Sequence, residues 1–377
     1  MNILVTGGAG YVGSVVAEEL LQQGYQVIIL DNLQQGHKEA ILPGAEFVIA
    51  DICGAQHLED VFHRFKIGAV MHMAAETVVE YSMTDPKRYF QNNVVGGLNL
   101  LDAMLKHGVY KFVFSSSAAV YGDPKSIPIE EDHPKLPVNS YGESKLMFEH
   151  ILEWYGRAYG LKYVSLRYFN AAGATELLGE DHRPETHLIP NVLKAALLQP
   201  PISNPQPQGL GTRGSGFVSI FGTDYPTKDG SCIRDYVHVI DIAQAHILAL
   251  QKLNQVEESS VLSPKSGRGC GTSDVGPRTS DIGHRTTGLG WKAGVYNLGN
   301  GEGYSVLEVV EAARKVTHAE IPVKISPKRA GDPAVLVASS HRAKEELGWR
   351  PKFPQLEAII ESAWKWMRKH PEGYSGV

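Results

Sequence analysis

The sequence predicts an α/β protein: a Rossmann-type, doubly wound parallel sheet with a smaller α/β substrate domain added to it. Two observations predict this class. First, a glycine-rich turn lies between a short apolar run at residues 3–6 and a helical pattern at 14–23. Second, apolar runs and helical periodicities keep alternating as far as residue 169. Because such alternation indicates parallel βαβ units, we expect ligands outside the carboxyl ends of the strands.

The first βαβ unit predicts a dinucleotide site. Its turn carries Gly7, Gly10 and Gly13, and its second strand, residues 26–30, ends at Asp31. Glycines let the backbone approach a pyrophosphate, whose charge is stabilised by the N-terminus of the following helix. An acidic residue after the second strand accepts hydrogen bonds from an adenosine ribose and repels a 2′-phosphate. The predicted cofactor is therefore NAD rather than NADP.

The following elements continue the sheet. We expect strands and helices in alternation, with strands at 47–50, 69–72, 111–115 and 163–169 and helices at 58–65 and 88–107. The residues that follow these strands are small or polar: Asp51, Ala74, Ala75, Ser115, Ser116, Ser117 and Asn170. They meet at the edge that also carries Gly7 and Asp31, so we expect the chemistry at this edge.

A helix predicted from residue 140 supplies a candidate base. Ser140 can cap it, and apolar residues recur at helical spacing as far as Tyr155. Tyr141 and Lys145 are four residues apart and therefore share one face. A free tyrosine has a pKa near ~10, and a fixed positive charge nearby lowers that pKa by about a unit or more. The pair predicts a phenolate that can take a proton from a sugar hydroxyl.

The same patterns predict the domain organisation. Residues 1–173 form the NAD-binding domain, and a strand and helix at 235–255 return to it. A smaller substrate-binding domain comprises 174–234 and 292–377, with helices at 188–198, 306–316 and 356–368. A stretch rich in glycine and serine at 259–291 has too few large apolar side chains to fold alone, and we interpret it as a flexible insertion.

Composition excludes several classes of function. The 377 residues are 43% hydrophobic and 20% charged, which is typical of a globular protein with a large core. A net charge of −5 without a basic run argues against nucleic acid and membrane surfaces as partners. Cys53, Cys232 and Cys270 match no metal-ligand spacing, so we expect no metal site and favour a cytoplasmic location. His72 and His238 lie in apolar strand contexts and are interpreted as core residues.

Longer motifs carry a resemblance to a known family. They are SSSAAVYG at 115–122, RYFNAAG at 167–173, FGTDYPTKDG at 221–230, RDYVHV at 234–239 and RAGDP at 329–333. With the glycine turn, Asp31, Tyr141 and Lys145, the chain resembles the extended short-chain dehydrogenase/reductase family, and within it the nucleotide-sugar epimerases. The resemblance implies NAD-dependent interconversion of UDP-galactose and UDP-glucose at C4, through transient oxidation to a 4-keto sugar.

The resemblance also implies which residues bind the cofactor and form a dimer. Lys145 would hold the nicotinamide ribose and lower the tyrosine pKa. The residues implied in cofactor binding are Gly7, Gly10, Tyr11, Val12, Gly13, Asp31, Asn32, Asp51, Ile52, Met73, Ala74, Ala75, Asn93, Ser115, Tyr141, Lys145 and Phe169. A homodimer packed through the helices at 88–107 and 140–159 is implied as well.

A second set of residues is implied in catalysis and substrate binding. Tyr141 would remove the proton from the C4 hydroxyl, and Ser117 would hydrogen-bond the sugar O4. Arg234 and Arg329 suit a diphosphate, because a guanidinium binds phosphate oxygens in a fork, and Asp332 would take the uridine ribose. The full substrate set is Ser117, Tyr141, Asn170, His187, Leu188, Ser219, Ile220, Phe221, Arg234, Arg329 and Asp332.

Alternatives remain inside and outside the family. The 4,6-dehydratases carry an Asp-Glu pair where this chain has Ala118 and Ala119, so elimination lacks its acid and base. Uronate 4-epimerases and decarboxylases share the tyrosine and lysine but lack the motif at 221–230. The non-enzyme alternative is an NAD-sensing regulator, a class that commonly loses the active-site tyrosine or lysine that this chain keeps.

Two positions bear on the substrate. His187 stands where many of the similar epimerases have an asparagine beside the uracil, which leaves the pyrimidine contacts open. Leu336 stands at the position that gates N-acetylated sugars, and it is smaller than the tyrosine of strictly glucose/galactose enzymes. We therefore hypothesise that UDP-N-acetylglucosamine is also accepted.

Overall fold

The computed structural model describes residues 1–199, 216–261, 293–329 and 332–376. Its strands are β1 (Asn2–Thr6), β2 (Gln26–Asp31), β3 (Ala45–Ile49), β4 (Ile67–His72), β5 (Lys111–Ser117), β6 (Lys162–Tyr168), β7 (Asn170–Ala172), β8 (Val218–Phe221), β9 (Ile233–Arg234), β10 (Tyr236–His238), β11 (Ala293–Leu298), β12 (Tyr304–Ser305), β13 (Val323–Ser326) and β14 (Val335–Leu336). Its α-helices are α1 (Tyr11–Gln22), α2 (Ala55–Arg64), α3 (Val79–Thr84), α4 (Pro86–Tyr89), α5 (Gly97–Lys106), α6 (Ser140–Tyr159), α7 (Leu188–Leu197), α8 (Val239–Val261), α9 (Val306–Thr317), α10 (His341–Glu346) and α11 (Leu356–Lys369).

Seven parallel strands form the main sheet, in the order β11-β6-β5-β4-β1-β2-β3. The strand order reverses between β1 and β4, and this is the position at which doubly wound sheets open a ligand crevice. The predicted fold class is therefore confirmed. The predicted strands of the first 173 residues also agree with the structure to within a few residues.

Helices cover both faces of this sheet. On one face α2, α5 and α6 bury Leu58, Leu101 and Phe148 in a common apolar core. On the other face α1 packs against α8, and Val16 and Ile242 lie in the larger core. Burial on both faces explains why β1, β2 and β4 read as continuous apolar runs rather than as alternating ones.

A second lobe is built from short strands and three helices that pack on one another, α7, α9 and α11. Strand β8 pairs with β13, and β9 lies between β12 and β14. Strand β11 was expected in this lobe, as part of the segment 292–377, but it pairs with β6 at the edge of the main sheet. That boundary is corrected: residues 293–298 belong to the sheet, because their backbone completes its hydrogen-bonding edge.

Two helix predictions need correction. Asn139, not Ser140, caps α6: its side-chain oxygen accepts a hydrogen bond from the Gly142 backbone N–H at 2.8 Å, whereas the Ser140 hydroxyl donates to the Ser82 carbonyl. The helix predicted at 88–107 contains a π-helical segment, Phe90–Gly96, between α4 and α5. The short helix α3, which precedes it, has too few residues to show a helical period in the sequence.

Within the described ranges, no helix combines the length and apolarity needed to cross a bilayer. The expected insertion at 259–291 falls almost entirely on residues 262–292, which lie outside the described residues, as does Cys270.

Candidate active site

The glycine turn brings the start of α1 against two strand ends. Gly7 has φ +72°, and a Cβ there would lie 2.5 Å from the Ala74 backbone nitrogen. A Cβ on Gly13 would lie 2.1 Å from the Gly7 carbonyl oxygen, so the helix can approach the turn only without a side chain at either position. A Cβ on Gly10 would meet a backbone atom no closer than 3.4 Å. No side chain of the described residues caps α1, which leaves its first N–H groups to an anion.

Asp31 is held beside this turn by backbone donors. Its two carboxylate oxygens accept hydrogen bonds from the N–H groups of Ala9, at 3.0 Å, and Leu33, at 2.8 Å. Burial raises the carboxyl pKa, and the two backbone hydrogen bonds oppose that effect. Each oxygen can accept a second bond, so the side chain fits an adenosine ribose. The turn and this carboxylate together fit a dinucleotide.

Other predicted cofactor residues lie at the same edge. Asn32 donates from its side chain to Asp51 at 2.9 Å, and the Tyr11 hydroxyl donates to the Gly173 carbonyl at 2.6 Å. The other predicted cofactor residues lie shortly after β3 (Ile52), after β4 (Met73, Ala74 and Ala75) and after β6 (Phe169), near the end of β5 (Ser115) and in the first turn of α1 (Val12).

Asn93 is the exception among these cofactor residues. Its amide oxygen accepts from the Glu76 backbone N–H at 2.8 Å, and its amide nitrogen donates to the Glu76 carbonyl at 3.1 Å and the Ser144 hydroxyl at 2.9 Å. Only 3% of the residue is exposed. Its amide therefore joins the loop at Glu76 to α6, and its direct binding of the cofactor stays a prediction.

Helix α6 aligns three functional side chains. Tyr141, Lys145 and Glu149 are spaced four residues apart and form one stripe that faces the sheet edge. The Lys145 ammonium donates to the Ser115 carbonyl at 2.9 Å and lies 5.9 Å from the centre of the Tyr141 ring. Tyr141 also shares a side-chain hydrogen bond with Ser117. The three predicted catalytic residues are therefore brought together.

The ionisation of this pair differs from the sequence-based expectation. Burial raises the pKa of Tyr141, and the hydrogen bond to Ser117 opposes that rise. Burial lowers the pKa of Lys145 to about 7, against an opposing contribution from Glu149. We expected Lys145 to depress the tyrosine pKa; in the protein alone, burial dominates and raises it.

A buried polar network behind Lys145 was missed by the sequence analysis. Glu149 accepts from the Ser116 hydroxyl at 2.6 Å and forms a two-pronged ion pair with Arg167. Arg167 also donates to the Tyr121 hydroxyl at 2.8 Å, which in turn donates to Asn297 at 2.7 Å. The spacing of Glu149 from Lys145 was a usable signal, because it continues the helical stripe. The network fixes α6 against β5, β6 and β11.

Tyr168 forms a second link that sequence reasoning missed. Its hydroxyl bonds with the hydroxyl of Ser115 and lies 2.8 Å from a ring nitrogen of His246. Burial raises the pKa of Tyr168, so this phenol stays protonated and can act as a hydrogen-bond link between β5 and α8.

The predicted substrate residues line one cleft of about 2600 Å³ beside Tyr141. They are Ser117, Asn170, His187, Leu188, Ser219, Phe221, Arg234, Arg329 and Asp332, joined by Leu336. Ile220 does not line it: its side chain is fully buried, because alternation along β8 sends Ser219 and Phe221 to the cleft and Ile220 to the core. A substrate contact by Ile220 therefore cannot come from its side chain in this arrangement, and the residue's binding role stays a prediction.

The charged side chains in the cleft contact other side chains of the cleft. Arg234 forms an ion pair with Asp332, and the Arg329 guanidinium lies 3.8 Å above the centre of the Phe221 ring. The pKa of His187 lies well above its ordinary value: burial opposes this, but the neighbouring carboxylates of Glu180 and Glu185 outweigh it. The groups expected to meet phosphates and ribose thus hold one another in place.

Ala118 and Ala119 lie in a 3₁₀ turn directly after Ser117. They carry neither acid nor base, so the position that would serve elimination is chemically inert. The interpreted core histidines are satisfied, since His72 bonds with Thr6 at 2.7 Å and His238 with Ser362 at 2.9 Å.

Comparison with a protein-family model agrees with this geometry. Residues 3–263 match the model described as the NAD dependent epimerase/dehydratase family. This segment contains the glycine turn, Tyr141, Lys145 and the buried network up to Arg167.

Known relatives cover the entire chain. A UDP-glucose 4-epimerase from Halalkalibacterium halodurans is 48% identical over 100% of this chain and 98% of its own. A crystal structure of a UDP-glucose 4-epimerase, 44% identical, superposes with a TM-score of 0.83 over 99% of both chains. The epimerase of Bifidobacterium longum, solved in complex with NAD⁺ and UDP, is 34% identical with a TM-score of 0.81 over 99% of this chain and 100% of its own.

Proposed function

The chain belongs to the NAD dependent epimerase/dehydratase family, and from this premise we propose that it interconverts UDP-galactose and UDP-glucose by inverting the configuration at C4. The observation that carries the proposal is that Tyr141 and Ser117 line the cleft that also holds Arg234 and Asp332, with the Lys145 ammonium 5.9 Å from the centre of the Tyr141 ring. A proton acceptor therefore faces the same space as the groups suited to a nucleotide diphosphate.

The cofactor is NAD, which when bound supplies the hydride acceptor and donor for the sugar carbon. We propose that the turn at Gly7, Gly10 and Gly13 with the start of α1 holds its pyrophosphate, and that Asp31 holds the adenosine ribose. Lys145 is proposed to bind the nicotinamide ribose. The division into an NAD-binding sheet and a UDP-sugar lobe, with residues 293–298 moved to the sheet, is proposed on the same grounds.

Tyr141 is proposed as the base that takes the C4 hydroxyl proton and later returns it. Its hydrogen bond to Ser117 supports this role, because a donor at Ser117 stabilises phenolate and can also contact the sugar oxygen. A single base suffices for both epimers, since proton removal occurs at the oxygen and leaves the configuration at carbon unspecified. Lys145 fixes β5 through the Ser115 carbonyl and places a cation on the same helix face.

The nucleotide end is proposed to bind by exchange of partners. Arg234 and Arg329 bind the diphosphate, and Asp332 turns from Arg234 to the uridine ribose. Guanidinium groups prefer paired phosphate oxygens, which repay the broken ion pair. Asn170, His187, Leu188, Ser219 and Phe221 complete the proposed contacts.

Leu336 supports wider substrate use. It lines the cleft as a half-buried residue, without the bulk of a tyrosine. We propose that UDP-N-acetylglucosamine is also accepted. Turnover of both nucleotide sugars by wild type and Leu336→Tyr tests this: the variant should lose turnover of the acetylated sugar about tenfold more than turnover of UDP-glucose. A wild type inactive on the acetylated sugar removes the proposal.

A homodimer is proposed through the helices at 88–107 and 140–159. The supporting observation is an exposed apolar surface on these helices, where Val95, Met147 and Trp154 are 40%, 38% and 64% exposed. Light scattering of wild type should give twice the chain mass, and Met147→Glu should shift it toward the monomer. Leu177→Glu, at an apolar residue exposed elsewhere, is the matched control and should stay dimeric.

A cytoplasmic location is proposed because the two described cysteines, Cys53 and Cys232, are both free thiols.

A coupled assay tests the proposed activity. Purified protein supplied with UDP-galactose should form UDP-glucose without net consumption of NAD. A protein that binds NAD but shows no conversion would instead support the regulator alternative. Conversion of UDP-glucuronate but not UDP-galactose would support a uronate epimerase.

A further inference from the structure

Four potential metal ligands meet in the loop that leads into α7. They are Glu180, His182, Glu185 and His187, and one ligand atom from each lies within 4.8 Å of the other three. The rings of His182 and His187 are 5.1 Å apart between their centres. This group, the 180–187 cluster, contains no residue of the proposed acid–base machinery, and of its members only His187 has been given a substrate contact.

The two carboxylates of the cluster are shielded from water. The Glu180 side chain is 7% exposed and that of Glu185 is 4% exposed. Two carboxylates so close in a site with little water repel each other strongly, and such pairs require a cation or a shared proton.

The protein's own groups satisfy the cluster incompletely. His187 Nδ1 lies 2.8 Å from Glu180 Oε1 and 2.9 Å from Glu185 Oε1, and one N–H cannot point straight at both. His182 Nδ1 lies 3.3 Å from Glu180 Oε1 without forming a hydrogen bond. Within the described residues, the buried Glu185 Oε2 also has no hydrogen-bond partner. Unpaired buried polar atoms are costly, so a bound divalent cation would satisfy these four side chains more completely than the proton of His187 does.

We propose that the 180–187 cluster binds one divalent transition-metal ion, with Zn²⁺ as the ion that best fits the donors. Two imidazole nitrogens and two carboxylate oxygens are ligand types that Zn²⁺ accepts, and four protein ligands close a tetrahedral structural site. Imidazole excludes the oxygen-only coordination that Mg²⁺ and Ca²⁺ prefer. The sequence analysis expected no metal because it looked for cysteine spacing, and this donor set contains no cysteine.

The location indicates a structural role. His187 is the N-cap residue of α7, which forms one wall of the cleft. On its other side the cluster meets the glycine turn, where the rings of Tyr11 and His182 lie 6.5 Å apart. An ion held here would fix the start of α7 relative to α1, and so the nucleotide-sugar wall relative to the dinucleotide turn.

A second group of potential ligands provides the matched control. Glu59, His63 and His107 also lie within 4.8 Å of one another. There, however, the Lys106 ammonium already lies 2.8 Å from the Glu59 carboxylate, and His63 is exposed to solvent. We infer no metal site at this group.

The test measures metal content in untagged full-length protein. Wild type, His182→Asn, Glu185→Gln and His63→Asn are stripped with chelator, incubated with Zn²⁺ and freed of unbound metal. Mass spectrometry of the metal should find about one equivalent per chain in wild type and His63→Asn, and less than about a tenth in the other two. Co²⁺ in place of Zn²⁺ should give the intense visible absorption of a tetrahedral site in wild type.

The following outcomes would overturn the proposal. A wild type that retains no Zn²⁺ removes it, as does a His182→Asn or Glu185→Gln protein that binds as much as wild type. Loss of metal from His63→Asn would move the site to the surface group. Thermal unfolding of wild type, with and without Zn²⁺, needs no variant and should show a higher midpoint with the metal. Metal content is measured without turnover, so its outcome is independent of the proposed epimerase activity.

Discussion

Ionisable side chains on the two sides of the cleft differ in whether they have a charged partner. At the sheet edge, Tyr141 and Lys145 are buried and shifted away from their ionised forms, and the Lys145 ammonium donates to a neutral carbonyl. In the nucleotide lobe, Arg234 is paired with Asp332. Tyr141 and Lys145 therefore lose hydration without an ion pair that offsets the loss. The charged residues of the nucleotide lobe offset that loss by pairing with each other.

This difference follows from what each side must do. A base has to change its protonation state during turnover, and burial keeps its pKa sensitive to whatever charge enters the site. A binding group has to keep its charge in the free protein, and a nearby partner maintains it until a ligand replaces that partner. The contrast makes four predictions, ordered from the largest effect to the smallest.

Removing the Tyr141 hydroxyl should have the largest effect. Tyr141→Phe deletes the proposed base and should lower kcat by about 10³-fold or more, as expected for a general base. The ring stays, so folding and NAD content should match wild type. The coupled UDP-galactose assay and the absorbance of extracted NAD measure both. Turnover within tenfold of wild type would show that another group removes the proton.

Breaking the buried ion pair behind Lys145 should have the next largest effect. Arg167→Met leaves the Glu149 carboxylate buried without its partner and should cost about 3–5 kcal/mol of unfolding free energy, measured with urea. The double variant Arg167→Met/Glu149→Leu is the control and should recover most of that loss. If the double variant is no more stable than the single one, the ion pair itself, and not the stranded carboxylate, carries the stability.

The buried ammonium should give NAD-free protein a pH-dependent stability. The pKa of Lys145 is about 7 in the folded protein and near ~10.5 when unfolded, so between these values the unfolded chain binds more protons and stability rises with pH. Lys145→Met removes this contribution. The unfolding free energy of wild type relative to Lys145→Met should therefore increase by about 2 kcal/mol from pH 7 to pH 9. A difference that stays constant with pH would mean that Lys145 remains charged in the fold.

The smallest effect on stability is expected in the nucleotide lobe. Asp332→Asn weakens a partly exposed ion pair and should cost less than about 1 kcal/mol. Its KM for UDP-galactose should rise about tenfold with kcat nearly unchanged, because ground-state binding to the ribose is lost. A lower KM would instead mean that Asp332 serves chiefly to compete with phosphate for Arg234.

Sequence reasoning was most effective where structure is local. The turn of Gly7, Gly10 and Gly13, the strand ends and the spacing of Tyr141 and Lys145 all follow from neighbours within one βαβ unit or one helix. The features it missed depend on distant partners: Tyr121 meets Asn297 across 176 positions, and Arg234 meets Asp332 across 98. No periodicity encodes such pairs.

Burial likewise limited what the sequence could predict about the ionisation of the site. The sequence places a cation one turn from the phenol, but it cannot give the degree of desolvation, which reverses the expected shift of the Tyr141 pKa. Likewise, Asn93 was predicted to bind the cofactor, while its bonds to Glu76 and Ser144 could be seen only in three dimensions.

The π-helical segment Phe90–Gly96 changes the phase of the long helix that contains it. A π turn holds one residue more than an α turn, so side chains after it are rotated by about 100° relative to an unbroken helix. One continuous helix can therefore direct the Asn93 amide to the loop at Glu76 and, a few residues later, Leu100 and Leu101 to the apolar core. Deleting a single residue here would turn one of those two sets outward, so the length of this segment is as constrained as its composition.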